Sequence, residues 1–124
     1  MAAALGGAAR RVFVMALWLH VVTTELNLSE ALEHLPAVAA RRELPVRRLL
    51  GTLERLPVTL YSPVRYAAAM PRALRLMAER DRDDAHLVAL AFTLSIPIWS
   101  NDPDLAGLPV TSYPTAVILR IVGA

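Results

Sequence analysis

Arg80-Asp81-Arg82-Asp83-Asp84-Ala85-His86-Leu87-Val88-Ala89-Leu90-Ala91, followed shortly by Ile96-Pro97-Ile98-Trp99-Ser100-Asn101-Asp102-Pro103-Asp104-Leu105, decides the fold. Asp83 can cap a helix running from Asp84 to about Leu94, because a carboxylate there accepts from the free N–H groups of the first turn. Pro97-Ile98-Trp99-Ser100 is an apolar run of strand length and predicts a buried strand. Asp102 and Asp104 come directly after it. In a parallel α/β sheet ligands sit beyond the carboxyl ends of the strands, so this is where chemistry is to be sought. All five aspartates of the chain fall between Asp81 and Asp104. Taken singly, each group has an ordinary structural use. Asp81 to Asp84 suit a helix N-terminus, and Asn101-Asp102-Pro103-Asp104 suits a turn. Their combination beside one strand of one sheet is what singles them out.

Upstream of this stretch the pattern alternates. Ala2 to about Ala16 are helix formers, and Leu19 to Thr23 carries a β-branched strand signal. Thr24 or Ser29 can cap a helix through Glu30-Ala31-Leu32 and on to about Arg42, with Pro36 a point of kinking. Apolar residues at Val46, Leu49, Leu50, Leu53 and Leu56 predict an amphipathic helix ended by Pro57. Val58 to Tyr61 predicts a short strand, and Ala67 to Arg80 a helix with Pro71 in its first turn. Downstream, Leu108 to Thr111 gives a weaker strand signal and Thr115 to Val122 a last helix. Strands alternating with helices imply an α/β fold with a mostly parallel sheet covered on both faces. With 124 residues, 56% of them hydrophobic, a single domain spanning 1–124 is expected.

Composition narrows the function classes. No cysteine is present, which removes disulfides and thiolate metal sites and makes a cytoplasmic location the simplest reading. The apolar run Val12 to Leu19 behind Arg10-Arg11 is shorter than the roughly 20 residues a membrane span needs. No small-residue cleavage pattern follows it. All 13 basic residues are arginine, ten of them between Arg41 and Arg82, and there is no lysine. Receiver and haloacid-dehalogenase-like phosphotransfer domains also place aspartates at strand ends, but they rely on a lysine beside the phosphoryl group. No glycine-rich phosphate loop, Gly-x-Ser-x-Gly elbow or histidine-rich motif occurs, which leaves nucleotide-binding and serine-hydrolase readings without support.

The two quoted segments resemble the C-terminal half of the PIN domain family, whose members often read Arg-Asp-x-Asp-Asp, then an Ala-Leu-Ala helix, then Pro-Ile-Trp-Ser-Asn-Asp-x-Asp-Phe. Leu105 stands where the family has an aromatic residue. More weakly, Val21-Val22-Thr23-Thr24-Glu25 through Leu28-Ser29-Glu30-Ala31-Leu32 resembles the family's second strand and the helix bearing its second acid. Leu56 to Tyr61, with Tyr66 beyond, is similar to the third strand and connector. Gly6-Gly7-Ala8-Ala9-Arg10-Arg11-Val12 resembles the segment after the first strand. The resemblance implies a PIN-like three-layer α/β/α sandwich that is N-terminally truncated. Its first strand, ending in an aspartate, would precede Met1, so the reading frame is expected to extend upstream.

The same resemblance implies a metal-dependent endoribonuclease. Glu30, Asp84 and Asp102 would be catalytic ligands of Mg²⁺ or Mn²⁺, with Asp104 a further ligand or neighbour. Ser100 and Asn101 would orient waters or phosphate. Carboxylates suit these hard cations, which lower the pKa of bound water and neutralise charge on a scissile phosphate. RNA would be the substrate, and Arg41-Arg42 and Arg47-Arg48 could offer backbone contacts, although solvated helix faces account for them more simply. Proteins of this kind resemble the toxin half of toxin–antitoxin pairs, which implies a small antitoxin partner and a homodimer. The alternative is a catalytically degenerate PIN fold serving as a binding or regulatory module. Loss of one carboxylate from such a set costs orders of magnitude, so this chain is expected to be much weaker than a form carrying the leading strand. His86 reads as a satisfied helix histidine, and Trp99 as core.

Overall fold

Val21-Val22-Thr23-Thr24 is a run of β-branched residues, and such side chains fit a pleated surface better than a helix. In the computed structural model, which describes residues 8–15 and 18–123, it forms strand β1 (Val21–Thr24). β1 pairs in parallel with β2 (Val58–Tyr61), in a register running from Val21 opposite Val58 to Thr24 opposite Tyr61. Parallel neighbours need a crossover. Here it consists of two helices, α2 (Glu25–Arg41) and α3 (Val46–Glu54), which close a small core of Leu35, Ala39 and Leu49 between them. Pro36 lies inside α2, which continues past it to Arg41.

The first described helix, α1 (Ala8–Met15), precedes β1 and buries Val12. The rest of the expected first helix, at residues 2–7 and 16, lies outside the described residues. After β2 the chain makes a helical turn, α4 (Pro63–Tyr66), then a 3₁₀ turn at Ala67–Ala69 and helix α5 (Met70–Leu76), with Pro71 in its first turn as expected. α5 ends short of the expected Arg80. The Met77 N–H still reaches the Ala73 carbonyl, and Arg80 closes a separate turn onto Met77. Helix α6 (Ala85–Leu94) then runs through the centre of the main core, burying Ala85, Val88, Ala89, Leu90 and Ala91 against Tyr66, Ala73, Met77, Ile98 and Leu105. It ends at Ser95 in a left-handed conformation, φ 54°.

The second strand pair is shorter. β3 (Ile98–Trp99) pairs in parallel with β4 (Ser112–Tyr113), Ile98 facing Ser112. The strand expected at Leu108 to Thr111 is therefore displaced. Pro109 has no N–H to give a ladder, while Leu108 and Val110 pack onto the core from a loop, and only Ser112 and Tyr113 reach the register of β3. Helix α7 (Thr115–Gly123) closes the chain and packs against α1.

All strand pairings are parallel, as the alternating pattern predicts. Among the described residues they form two separate pairs, β1–β2 and β3–β4, in place of one continuous sheet. A cleft of about 620 Å³ lies between them, lined by Val21 to Thr23 on one side and Ile98 to Ser100 on the other.

Candidate metal centre

The helix start at Asp81–Asp84 is built differently from the expected Asp83 cap. Asp81 supplies the cap: its carboxylate accepts from the Asp83 N–H at 3.0 Å and closes a 3₁₀ turn, Arg82–Asp84. Asp84 then stands at the N-terminus of α6 with no capping hydrogen bond from its side chain. A half-buried carboxylate in this position is left to its electrostatic surroundings.

Those surroundings are acidic. Asp84 titrates above the ordinary carboxylate range, first because burial penalises its charge and then because Asp81, Asp102, Asp83 and Asp104 repel it. Glu30, reaching over from α2, is raised in the same way, by burial first, then by the Asp83 carboxyl it faces, and by the charges of Asp81 and Asp84. Asp84 is thus repelled both by the helix-start group and by the loop after β3. The field on Glu30 comes from the helix-start group alone.

The loop after β3 is held by its own polar bonds. The Ser100 hydroxyl accepts from the Asp102 N–H at 3.0 Å, and the Asp102 carboxylate accepts from the Asp104 N–H at 2.9 Å, capping a 3₁₀ turn at Pro103–Leu105. The Asn101 side-chain oxygen accepts from the Thr115 N–H at 2.9 Å and so anchors the start of α7. Arg80 donates to the Asp104 backbone carbonyl, which ties this loop to the segment before α6. Asp102 and Asp104 are both exposed.

Glu30, Asp84, Asp102 and Asp104 thus come to one end of the fold, with Ser100 and Asn101 engaged in shaping the loop. The donor set is entirely oxygen and fits a hard divalent cation in kind. Among the described residues, however, no three carboxylate or imidazole groups converge closely enough to hold an ion. Asp83, which faces Glu30, and Asp81 belong to the same acidic field, although their sequence position alone suggests only a helix start.

Beneath the carboxylates lies a buried polar group. Tyr66 is fully buried, and its hydroxyl is 2.7 Å from Nδ1 of His86, with the two rings edge to face at 5.6 Å. Its pKa is raised, first by burial and further by the charge of Glu25, with the neighbouring Thr24 side chain acting the other way. Thr24, itself fully buried, caps α2 by accepting from the Asn27 N–H at 3.0 Å. His86 is therefore a satisfied helix histidine, as expected. Trp99 is half-buried, donating to the Thr115 hydroxyl at 2.9 Å and packing on Phe13.

Parallel strand pairs flanked by helices, with acids gathered after a strand and at a helix start, define an α/β domain with an acidic end. The family follows from the sequence match: a PIN domain model matches residues 1–119, and the chain belongs to the PIN domain family, which is of nuclease type. No curated protein and no solved structure matches the chain significantly.

Proposed function

We propose that this protein is a divalent-metal-dependent endoribonuclease, hydrolysing phosphodiester bonds in single-stranded RNA, and that it serves as the toxin of a toxin–antitoxin pair. One observation carries the reading: Asp84 is uncommitted to capping and sits in the joint field of carboxylates from two separate segments. A structural helix start would use its acids as caps, as Asp81 does. Glu30, Asp84 and Asp102 are the residues that would hold Mg²⁺ or Mn²⁺, with Asp104 beside them. A bound divalent ion would supply an activated water and neutralise charge on the scissile phosphate. The side chains' own contribution is to gather negative charge at one end of the fold, with Asp102 held by the Ser100 hydroxyl and the Asp104 N–H.

The cleft between β1 and β3, which Ser100 and Asn101 also line, supports the reading. Arg41, Arg42, Arg47 and Arg48 are exposed at the turn between α2 and α3 and are the guanidinium groups offered to an RNA backbone. Val14 and Ile121 are exposed on the paired helices α1 and α7, and Trp18 is exposed just beyond α1, which supports a homodimer or an antitoxin contact there. No helix among the described residues is long and apolar enough to cross a membrane.

Incubation with a panel of single-stranded RNAs tests the proposal. Cleavage is expected with Mn²⁺ or Mg²⁺, and it should stop on adding EDTA. A protein that cleaves nothing in the panel leaves the second reading, a catalytically degenerate binding module. That reading is favoured by the lack of any converging trio of metal-type side chains among the described residues.

A further inference from the structure

The carboxyl ends of the first strand pair bring an aromatic ring and a guanidinium together at the surface. Tyr61 is the last residue of β2 and stands opposite Thr24, the last of β1, which Glu25 follows directly. The guanidinium carbon of Arg65, in α4, lies over the Tyr61 ring, 5.5 Å from its centroid. Tyr61 is half-buried and packs on the main core, whereas Arg65 is exposed. A hollow of about 320 Å³ opens beside the pair, bordered also by Glu25, Thr59 and Ser62. The Thr59 hydroxyl is 2.9 Å from Nε2 of His20, but the Ser62 side chain makes no cap for α4. α4 is fastened to α6 by the Tyr66 hydroxyl, 2.7 Å from Nδ1 of His86, two residues beyond Asp84. The hollow is thereby tied to the acidic start of α6.

We propose that Tyr61 and Arg65 form a stacking subsite for one base of a single-stranded RNA, the base lying on the solvent side of the Arg65 guanidinium with its edge toward Glu25 and Ser62. This rests on the RNA reading above and adds to it the place where a nucleotide is gripped. Aromatic rings and guanidinium planes are the surfaces on which unpaired bases stack. Attraction between the Tyr61 ring and the cation holds Arg65 in place beforehand, so a base meets a surface that costs little to order. The other groups at the hollow favour a base over a phosphate. The Glu25 carboxylate repels an anion and accepts from the amino or imino groups of a base edge, while the Ser62 hydroxyl can donate or accept.

Binding of a short, fluorescently labelled single-stranded RNA, followed by anisotropy in EDTA, reads the subsite without metal or cleavage. Arg65→Ala and Arg65→Lys should both weaken binding roughly 5- to 100-fold, the range for one lost base stack. Lysine keeps the charge and loses the plane, so Arg65→Lys should retain the parent's salt dependence. Tyr61→Leu should bind as weakly as Arg65→Ala, and Tyr61→Phe, which keeps the ring, as tightly as the parent. Because Arg65 is exposed, its variants test the site even where a Tyr61 variant fails to fold. An otherwise identical abasic strand should bind the parent and Arg65→Lys alike. Full affinity in Arg65→Lys, with a salt slope lowered by about 0.7 in Arg65→Ala, makes Arg65 a phosphate contact and overturns the subsite. Unchanged affinity in Arg65→Ala overturns it too, and leaves the proposed nuclease standing. A parent that binds RNA with the expected losses in the variants, yet never cleaves with Mn²⁺, removes the nuclease and keeps the subsite. A parent that binds no single-stranded RNA overturns both.

Discussion

Asp102 illustrates how far a single residue can be read from sequence. Its place after an apolar strand is legible, and so is its suitability for a turn, but the two uses compete on paper. In the structure it performs the turn function, capping Asp104, and also contributes to the field on Asp84. Two substitutions separate these roles. Asp102→Asn keeps an oxygen for the Asp104 N–H and removes the charge, whereas Asp102→Ala removes both. We expect Asp102→Asn to abolish cleavage and to raise the melting temperature of the metal-free protein slightly, since like-charge strain is relieved. Asp102→Ala should also abolish cleavage, but melt lower by an amount equivalent to roughly 0.5–2 kcal/mol for a lost cap. Mn²⁺ should stabilise the parent by more than either variant, as a ligand selective for the folded state must. Paired melting curves with and without metal decide the matter. An Asp102→Asn variant that melts below the parent without metal and gains as much from Mn²⁺ would make Asp102 a turn residue only.

At the level of elements, legibility tracked how much of an element's stability is local. Val58–Tyr61 matched its expected bounds, and the helix beginning at Val46 ended two residues before the expected Leu56, because β-branching and amphipathic spacing are written in consecutive residues. β4 was misplaced because two residues have no periodicity of their own, and its position is dictated by the partner β3. The α6 cap moved from Asp83 to Asp81 for a related reason. The Asp81 carboxylate caps the N–H two residues on, and three aspartates within four positions offer several ways to make such a local contact. The Tyr66–His86 hydrogen bond was invisible because it joins α4 and α6, and no local sequence pattern contains both. Thr24 against Ser29 was a choice the structure makes: Thr24 caps α2 and Ser29 lies inside the helix. Thr24→Ala is accordingly expected to destabilise the protein by roughly 1–2 kcal/mol, the usual range for a lost helix cap. Ser29→Ala should lie within about 0.5 kcal/mol of the parent, as exposed substitutions do. Urea denaturation midpoints at constant slope measure both, and equal midpoints would contradict the assigned cap.

Over the whole molecule the acids are segregated: every aspartate lies in the 24-residue stretch from Asp81 to Asp104, and Glu30 is brought to it by the fold. The consequence is a definite pH dependence. Glu30 and Asp84 both hold their protons more tightly in the folded state than an ordinary carboxylate does. Between the ordinary carboxylate pKa and these raised values the native state therefore binds more protons than the unfolded chain, and stability falls as pH rises through that window. Below the window both states are protonated and the penalty vanishes. Above it the penalty is fully present and constant. Metal should invert the slope, because a cation competes with protons for the same oxygens and binds better as pH rises. The expected outcome is that, in EDTA, the parent loses melting temperature from the lower edge of the window upward, while Asp84→Asn and Glu30→Gln lose less, since each lacks one of the groups responsible. With Mn²⁺ the parent should gain stability over the same interval and the variants should gain less. Differences between parent and variant cancel the titration of every other group, so the comparison isolates the cluster. Parallel curves for parent and variants in EDTA would mean that the two carboxylates do not interact as the fold places them. An Mn²⁺ increment that does not grow with pH would mean that the cluster binds no metal through its ionised form.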